Sequence, residues 1–131
     1  MNDKASRKLN VLIADDQPIN LRAAVRVLRD IGHGGVAVPD GQQALAALER
    51  HTFDLALLDV FMPVLDGASA LKQIRERERS DHSVRLPILM VTGDDLPEST
   101  DRLLREGADA VLVKPLTTEG LVRALKDLKL H

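Results

Sequence analysis

The sequence predicts an α/β protein in which five parallel strands, ordered 2-1-3-4-5, are wound on both faces by five helices. Three observations point there. Short apolar runs alternate with stretches of helical periodicity along the whole chain, the pattern left by right-handed strand–helix–strand crossovers. The runs are apolar throughout rather than at every second residue, as in strands covered on both faces. Polar residues gather where four of the runs end, whereas the second run ends in Val38-Pro39 and offers nothing chemical, which suits an outer strand.

Leu9 to Ala14 (LNVLIA) is the first strand, and it stops at Asp15-Asp16. Pro18 suits a first helical turn, and Ile19, Ala23, Val27 and Ile31 follow at spacings of four before Gly32. They predict a helix over 18–31 with those residues as its inner stripe. Gly35 to Val38 is a short second strand, and Asp40 caps a helix over 41–50 with Ala44, Leu45 and Leu48 inward. Leu55 to Leu58 reads as a central strand delivering Asp59 to its carboxyl end, before a turn with Pro63 and Asp66-Gly67. The third helix, over 67–79, turns Ala70, Leu71 and Ile74 inward, and the run RERERSDHSVR reads as a solvated helix end and surface loop. Leu86 to Val91 is the fourth strand, ending at Thr92-Gly93, and a helix over 97–106 stops at Gly107. Ala110 to Val113 is the fifth strand, ending at Lys114-Pro115. A helix over 117–128, with Leu121, Val122, Leu125 and Leu128 inward, closes the chain.

A chain of 131 residues fits a single domain spanning 1–131, with no linker or repeat, and can bury roughly 68–70% of its unfolded surface. The apolar share of 44%, the charged share of 29% and the net charge of −2 describe an ordinary globular surface without a nucleic-acid or anionic-membrane footprint. Cysteine is absent, which excludes disulfides and thiolate chemistry. No stretch approaches the ~20 apolar residues of a membrane span, and Met1 to Asn10 is polar, so a cytoplasmic location is expected. Phe53 and Phe61 are the only aromatics, which leaves no platform for stacking bases. His33, His51, His82 and His131 lie at no metal-ligand spacing and read as surface residues.

In such a sheet, ligands bind outside the carboxyl ends of the strands near the switch in strand order. Asp15, Asp16, Asp59, Thr92 and Lys114 should therefore converge. Singly, each has an ordinary use: a carboxylate caps a helix, a threonine ends a strand, a lysine is solvated. Together they form a site in which carboxylates repel, so that it either raises a pKa or holds a cation. Hard oxygen donors favour Mg²⁺ or Mn²⁺. With Lys114 as a second positive charge and Thr92 as a hydroxyl donor, the arrangement suits phosphoryl transfer, and Asp59 is placed to be the nucleophile.

The segments VLIADD at 11–16, LLDVFMPVLDG at 57–67, VTG at 91–93 and VKP at 113–115 closely resemble the receiver domain of two-component response regulators. The resemblance implies a flavodoxin-like doubly wound fold and a domain that catalyses its own aspartyl phosphorylation and dephosphorylation. It implies that Asp59 accepts a phosphoryl group from a phosphohistidine and that Asp16, Asp59 and the Phe61 carbonyl bind Mg²⁺, with Asp15 acting through a water. It further implies that Thr92 and Lys114 grip the phosphoryl oxygens, and that Lys114-Pro115 is cis. The expected partner is a histidine kinase or histidine phosphotransfer domain, docking near Pro18, Ile19, Pro115 and Leu116. The DDQPIN run at 15–20 is most similar to receivers of hybrid sensor histidine kinases.

Two positions depart from the family. Val111 stands three residues before Lys114, where an aromatic usually takes part in switching, and Phe61 stands where a polar residue is common. The Phe61 ring is expected to screen the acyl phosphate from water, whereas Asp94 could orient water. Three other readings compete. A phosphatase with an Asp nucleophile would need a second carboxylate where Phe61 stands. A nucleotide-binding fold would need a Gly-rich loop where Asp15-Asp16 stand. A degenerate receiver acting as a phosphorylation-independent interaction module would have lost site residues, and all five are present.

Overall fold

The computed structural model describes residues 8–130, with His131 and the first seven residues outside that range. Five strands, β1 (Asn10–Ala14), β2 (Gly34–Val38), β3 (Leu55–Asp59), β4 (Ile88–Thr92) and β5 (Ala110–Val113), pair in parallel in the order β2-β1-β3-β4-β5. Between and after them run α1 (Pro18–Asp30), α2 (Gly41–Arg50), α3 (Gly67–Asp81), α4 (Pro97–Arg105) and α5 (Thr118–Asp127). The expected fold and strand order are those observed.

Alternation along each strand sorts the core into two layers. Val11, Ile13, Leu57 and Leu89 pack with Ala24 and Leu28 of α1 and Leu121 and Leu125 of α5. Leu12, Ala14, Leu58 and Met90 pack with Ala44 and Leu45 of α2, Leu71 and Ile74 of α3, and Leu103 of α4. A β-bonded backbone buried on both faces leaves only its ends open to chemistry. β2 is the exception, because it lies at the edge and leaves Gly35, Val36 and Ala37 exposed.

Local chemistry sets the helix starts. Asp40, Asp66 and Thr117 accept the N–H groups of Gln43, Ser69 and Gly120 at 2.8, 2.8 and 3.0 Å. α1 and α4 have no such cap and begin instead at Pro18 and Pro97, which need no donor partner.

Five expectations need correction. In α1, Val27 and Ile31 pack against the core beside the buried Ala24 and Leu28, but Ile19 is 73% exposed and Ala23 is open. The fourth strand starts at Ile88 rather than Leu86, since the Leu86 N–H and C=O are taken by the side chains of Glu78 and Arg75. α3 continues to Asp81, where His82 stops it in the left-handed conformation (φ 53). Nor is the charge run wholly solvated. Arg75 is 5% exposed and spends its guanidinium on Gly107 O, Leu86 O, Glu78 and Asp109. Asp109 also accepts the Ile88 N–H and pairs with Arg85, so this network ties α3 to the starts of β4 and β5.

Of the histidines, His51 and His82 are exposed. His33 is not; it is buried, and its Nδ1 accepts the Leu9 N–H at 3.0 Å. Burial lowers its pKa, against the pull of Asp54. It serves as a neutral acceptor that finishes the backbone ahead of β1.

Candidate functional site

The carboxyl ends of β1, β3, β4 and β5 bring the expected residues to one lip of the sheet. Asp15 and Asp59 are buried, Asp16 is half-buried beside them, and carboxylate oxygens of the three lie within 4.8 Å of one another. The Lys114 Nζ reaches in from the end of β5 to 3.1 Å from Asp59 Oδ1 and 3.2 Å from Asp15 Oδ2. The Lys114 N–H donates to Thr92 O at 2.7 Å, and the Lys114-Pro115 peptide is cis. Asp59 caps no helix; that task falls to Asp66. Asp15 does two jobs, accepting the Gln17 N–H at 2.9 Å through Oδ1 while Oδ2 faces Lys114.

The turn after β3 is drawn tight against the nucleophile candidate. Gly67 N–H donates to Val60 O at 2.9 Å, and a Cβ at Gly67 would overlap the Asp59 carbonyl oxygen. Only a residue without a side chain lets α3 begin this close.

Burial raises the Asp59 pKa above its ordinary value, the charge of Asp15 adds to the rise, and Lys114 and the Phe61 N–H oppose it. For Lys114, burial works against the ammonium, but the carboxylates of Asp59 and Asp15 outweigh it and its pKa is raised. The lysine therefore stays charged between two carboxylates, with Asp16 as a third acid beside them. Such a cluster of hard oxygen donors, short of positive charge, has the composition of a small divalent-cation site.

Thr92 is buried at the end of β4, and its Oγ1 accepts the Asp94 N–H at 3.1 Å. The Asp94 carboxylate does not turn to Asp59. Its oxygens take Leu96 N–H at 2.8 Å and Ser99 O–H at 2.7 Å, steadying the first turn of the uncapped α4, and Ser99 chiefly holds its pKa low. Phe61 is 73% exposed. Val111 packs into the core beneath α3 and α4. Beside the acidic cleft lies a cavity of about 330 Å³ lined by Asn20, Ala23, Lys114, Pro115 and Leu116 among others. Asn20 closes the DDQPIN run, and its place one turn into α1 brings it to this cavity.

Residues 11–126 match the response regulator receiver domain family. The chain belongs to that family. This receiver is 36% identical over 121 residues to the sensor histidine kinase GacS of Pseudomonas protegens, a match covering 92% of the chain and 13% of the kinase. The chain thus spans about an eighth of the length of that relative. Among solved structures, the receiver domain of the sensor histidine kinase PA1611 from Pseudomonas aeruginosa PAO1, with a magnesium ion coordinated in its active site cleft, shares 33% identity. The TM-score is 0.80, with 92% of this chain and 97% of that one covered. The co-crystal of the Saccharomyces cerevisiae histidine phosphotransfer signaling protein Ypd1 with the receiver domain of its downstream response regulator Ssk1 matches with TM-score 0.86 and 25% identity, over 95% and 92% of the chains. No helix among the described residues is long and apolar enough to cross a membrane.

Proposed function

We propose that this receiver takes a phosphoryl group from a phosphohistidine onto Asp59, in the cytoplasm, within a phosphorelay. The observation that carries the reading is the Lys114 ammonium held between Asp59 and Asp15 beside a third carboxylate, at the lip of the sheet. A carboxylate oxygen of Asp59 attacks phosphorus, the P–N bond breaks, and the imidazole leaves with the bonding pair and takes up a proton. Burial and the neighbouring charge keep the Asp59 carboxylate poorly solvated and therefore reactive. Lys114 turns its ammonium from the carboxylate to a phosphoryl oxygen, and the Thr92 hydroxyl donates to another.

Asp15, Asp16 and Asp59, with the Phe61 carbonyl, would hold Mg²⁺, or Mn²⁺ in its place. When bound, the cation supplies the positive charge that lets an anionic phosphoryl group approach three carboxylates. The donor of the phosphoryl group is a histidine kinase or histidine phosphotransfer domain. It would seat on the exposed Pro18, Ile19 and Pro115 with the half-buried Leu116, which frame the cleft. The likeness to the Ssk1 receiver, solved with Ypd1, supports that partner. We further take residues 1–131 as one domain that contacts no nucleic acid directly.

The test is the intact mass of the protein after incubation with acetyl phosphate and Mg²⁺, beside Asp59→Asn and a metal-free control. A gain of one phosphoryl group that needs Mg²⁺ and vanishes in the variant is the expected result. No gain from acetyl phosphate, nor from a panel of phosphorylated phosphotransfer domains, would leave an interaction module that works without phosphorylation.

A further inference from the structure

On the flank of α1 turned away from the acidic cleft and from α5, three arginines follow one another up the helix. Arg22, Arg26 and Arg29 line a groove of about 360 Å³ whose apolar floor is Leu21, Val25 and Ala37. None of the three guanidinium groups makes an ion pair or hydrogen bond with the described residues, in a chain whose net charge is −2. The groove runs beside β2, the open edge of the sheet. Gly34 N–H bonds to Leu9 O at 3.1 Å and Val38 O accepts Asp15 N–H at 3.1 Å, both across to the β1 side. By alternation, the N–H and C=O groups of Gly35 and Ala37 point away from the sheet. Edge strands are commonly blunted by lysine, proline or a covering loop; here the residues of the strand are glycine, valine and alanine, and three of the five are exposed.

From this juxtaposition we infer that β2 is a docking edge for an extended acidic segment of a partner protein, which adds a strand beside β2. Every second side chain of that segment faces α1 and places a carboxylate among the arginines. The free backbone groups supply hydrogen bonds, and the arginines select the sequence. An open strand edge recognises a polypeptide backbone rather than a phosphodiester chain or a lipid surface, and the overall negative charge repels both of those. The inference concerns the opposite flank of α1 from the phosphohistidine partner and stands whether or not Asp59 is phosphorylated.

The probe is a labelled nonapeptide of alternating glutamate and valine, titrated into the whole chain by fluorescence anisotropy, beside a peptide of the same composition with its glutamates in one block. Amide hydrogen exchange is read at Gly35 and Ala37. The expected result is saturable binding of the alternating peptide, slower exchange at those amides, and affinity at least about tenfold weaker in Arg22→Glu/Arg26→Glu/Arg29→Glu. Ala37→Pro, which removes an outward donor at an edge where proline is tolerated, weakens binding while leaving the arginines in place. Equal binding of both peptides, binding without protection at Ala37, or stronger binding to phosphatidylserine vesicles or duplex DNA overturns the inference. So does sedimentation showing that the edge is occupied by a second copy of the chain.

Discussion

At the start of β4 and β5, Arg75 and Arg85 meet Glu78 and Asp109, and each carboxylate finds a guanidinium at 2.8 to 3.1 Å. At the other end of the sheet, Asp15, Asp16 and Asp59 meet one ammonium. The carboxylates of both clusters are buried or half-buried, where an unmatched charge is expensive. Matched groups hold elements together and have nothing left to offer. Unmatched groups store a demand for positive charge, which an incoming cation or phosphoryl group can satisfy. The same strands thus carry a fastening at one end and a reactive cluster at the other.

The largest expected effect comes from undoing the fastening. Arg75→Met keeps the aliphatic packing but takes the guanidinium from Glu78 and Leu86 O and leaves Asp109 with Arg85 and the Ile88 N–H, and should cost about 2–3 kcal/mol in denaturant unfolding. If phosphoryl uptake by the folded fraction slows as well, the two ends are not independent and the comparison breaks. At the reactive end, Asp59→Asn removes a carboxylate whose pKa burial has raised, leaving Asp15 to pair with Lys114. Its Tm should rise by a few degrees, even as uptake is lost; a fall would make Asp59 a structural residue.

The smallest effect is in acid, where the two ends have opposite signs. His33 has a lowered pKa, so its contribution is complete above the ordinary value of 6.5 and is lost as pH falls through the folded value. Asp59 has a raised pKa, so its cost is present at neutral pH and disappears as pH falls toward the ordinary 3.8. Between about pH 7.5 and about pH 5.5 the wild type should lose stability that His33→Gln does not. Identical slopes in the two proteins would remove His33 from the account.

Most of the reactive end could be read from the chain, because each of its residues sits where an apolar run stops, and a run's end is visible without knowing its neighbours. Asp15, Asp16, Asp59, Thr92 and Lys114 all lie where that logic put them. The fastening end was misread for the complementary reason. Arg75 looks like any member of RERERS until Gly107 and Asp109, more than thirty residues on, come to meet it. His33 likewise depends on Leu9, which only the β1–β2 pairing brings near. The inner face of α1 was legible at Val27 and Ile31, which pack against the core, and not at Ile19 and Ala23, whose place Ala24 and Leu28 take.

The close seat of Gly67 against the Asp59 carbonyl reaches beyond this one chain. Any single-base change that gives position 67 a side chain must push the backbone of the nucleophile candidate, whatever the chemistry of the newcomer. In a saturation library screened for phosphoryl uptake, position 67 should admit glycine alone. Asp66, which only lends an oxygen to Ser69 N–H, should admit serine, threonine and asparagine. One step along the chain, drift would pass from freely permitted to closed, and the boundary is drawn by a missing methyl group.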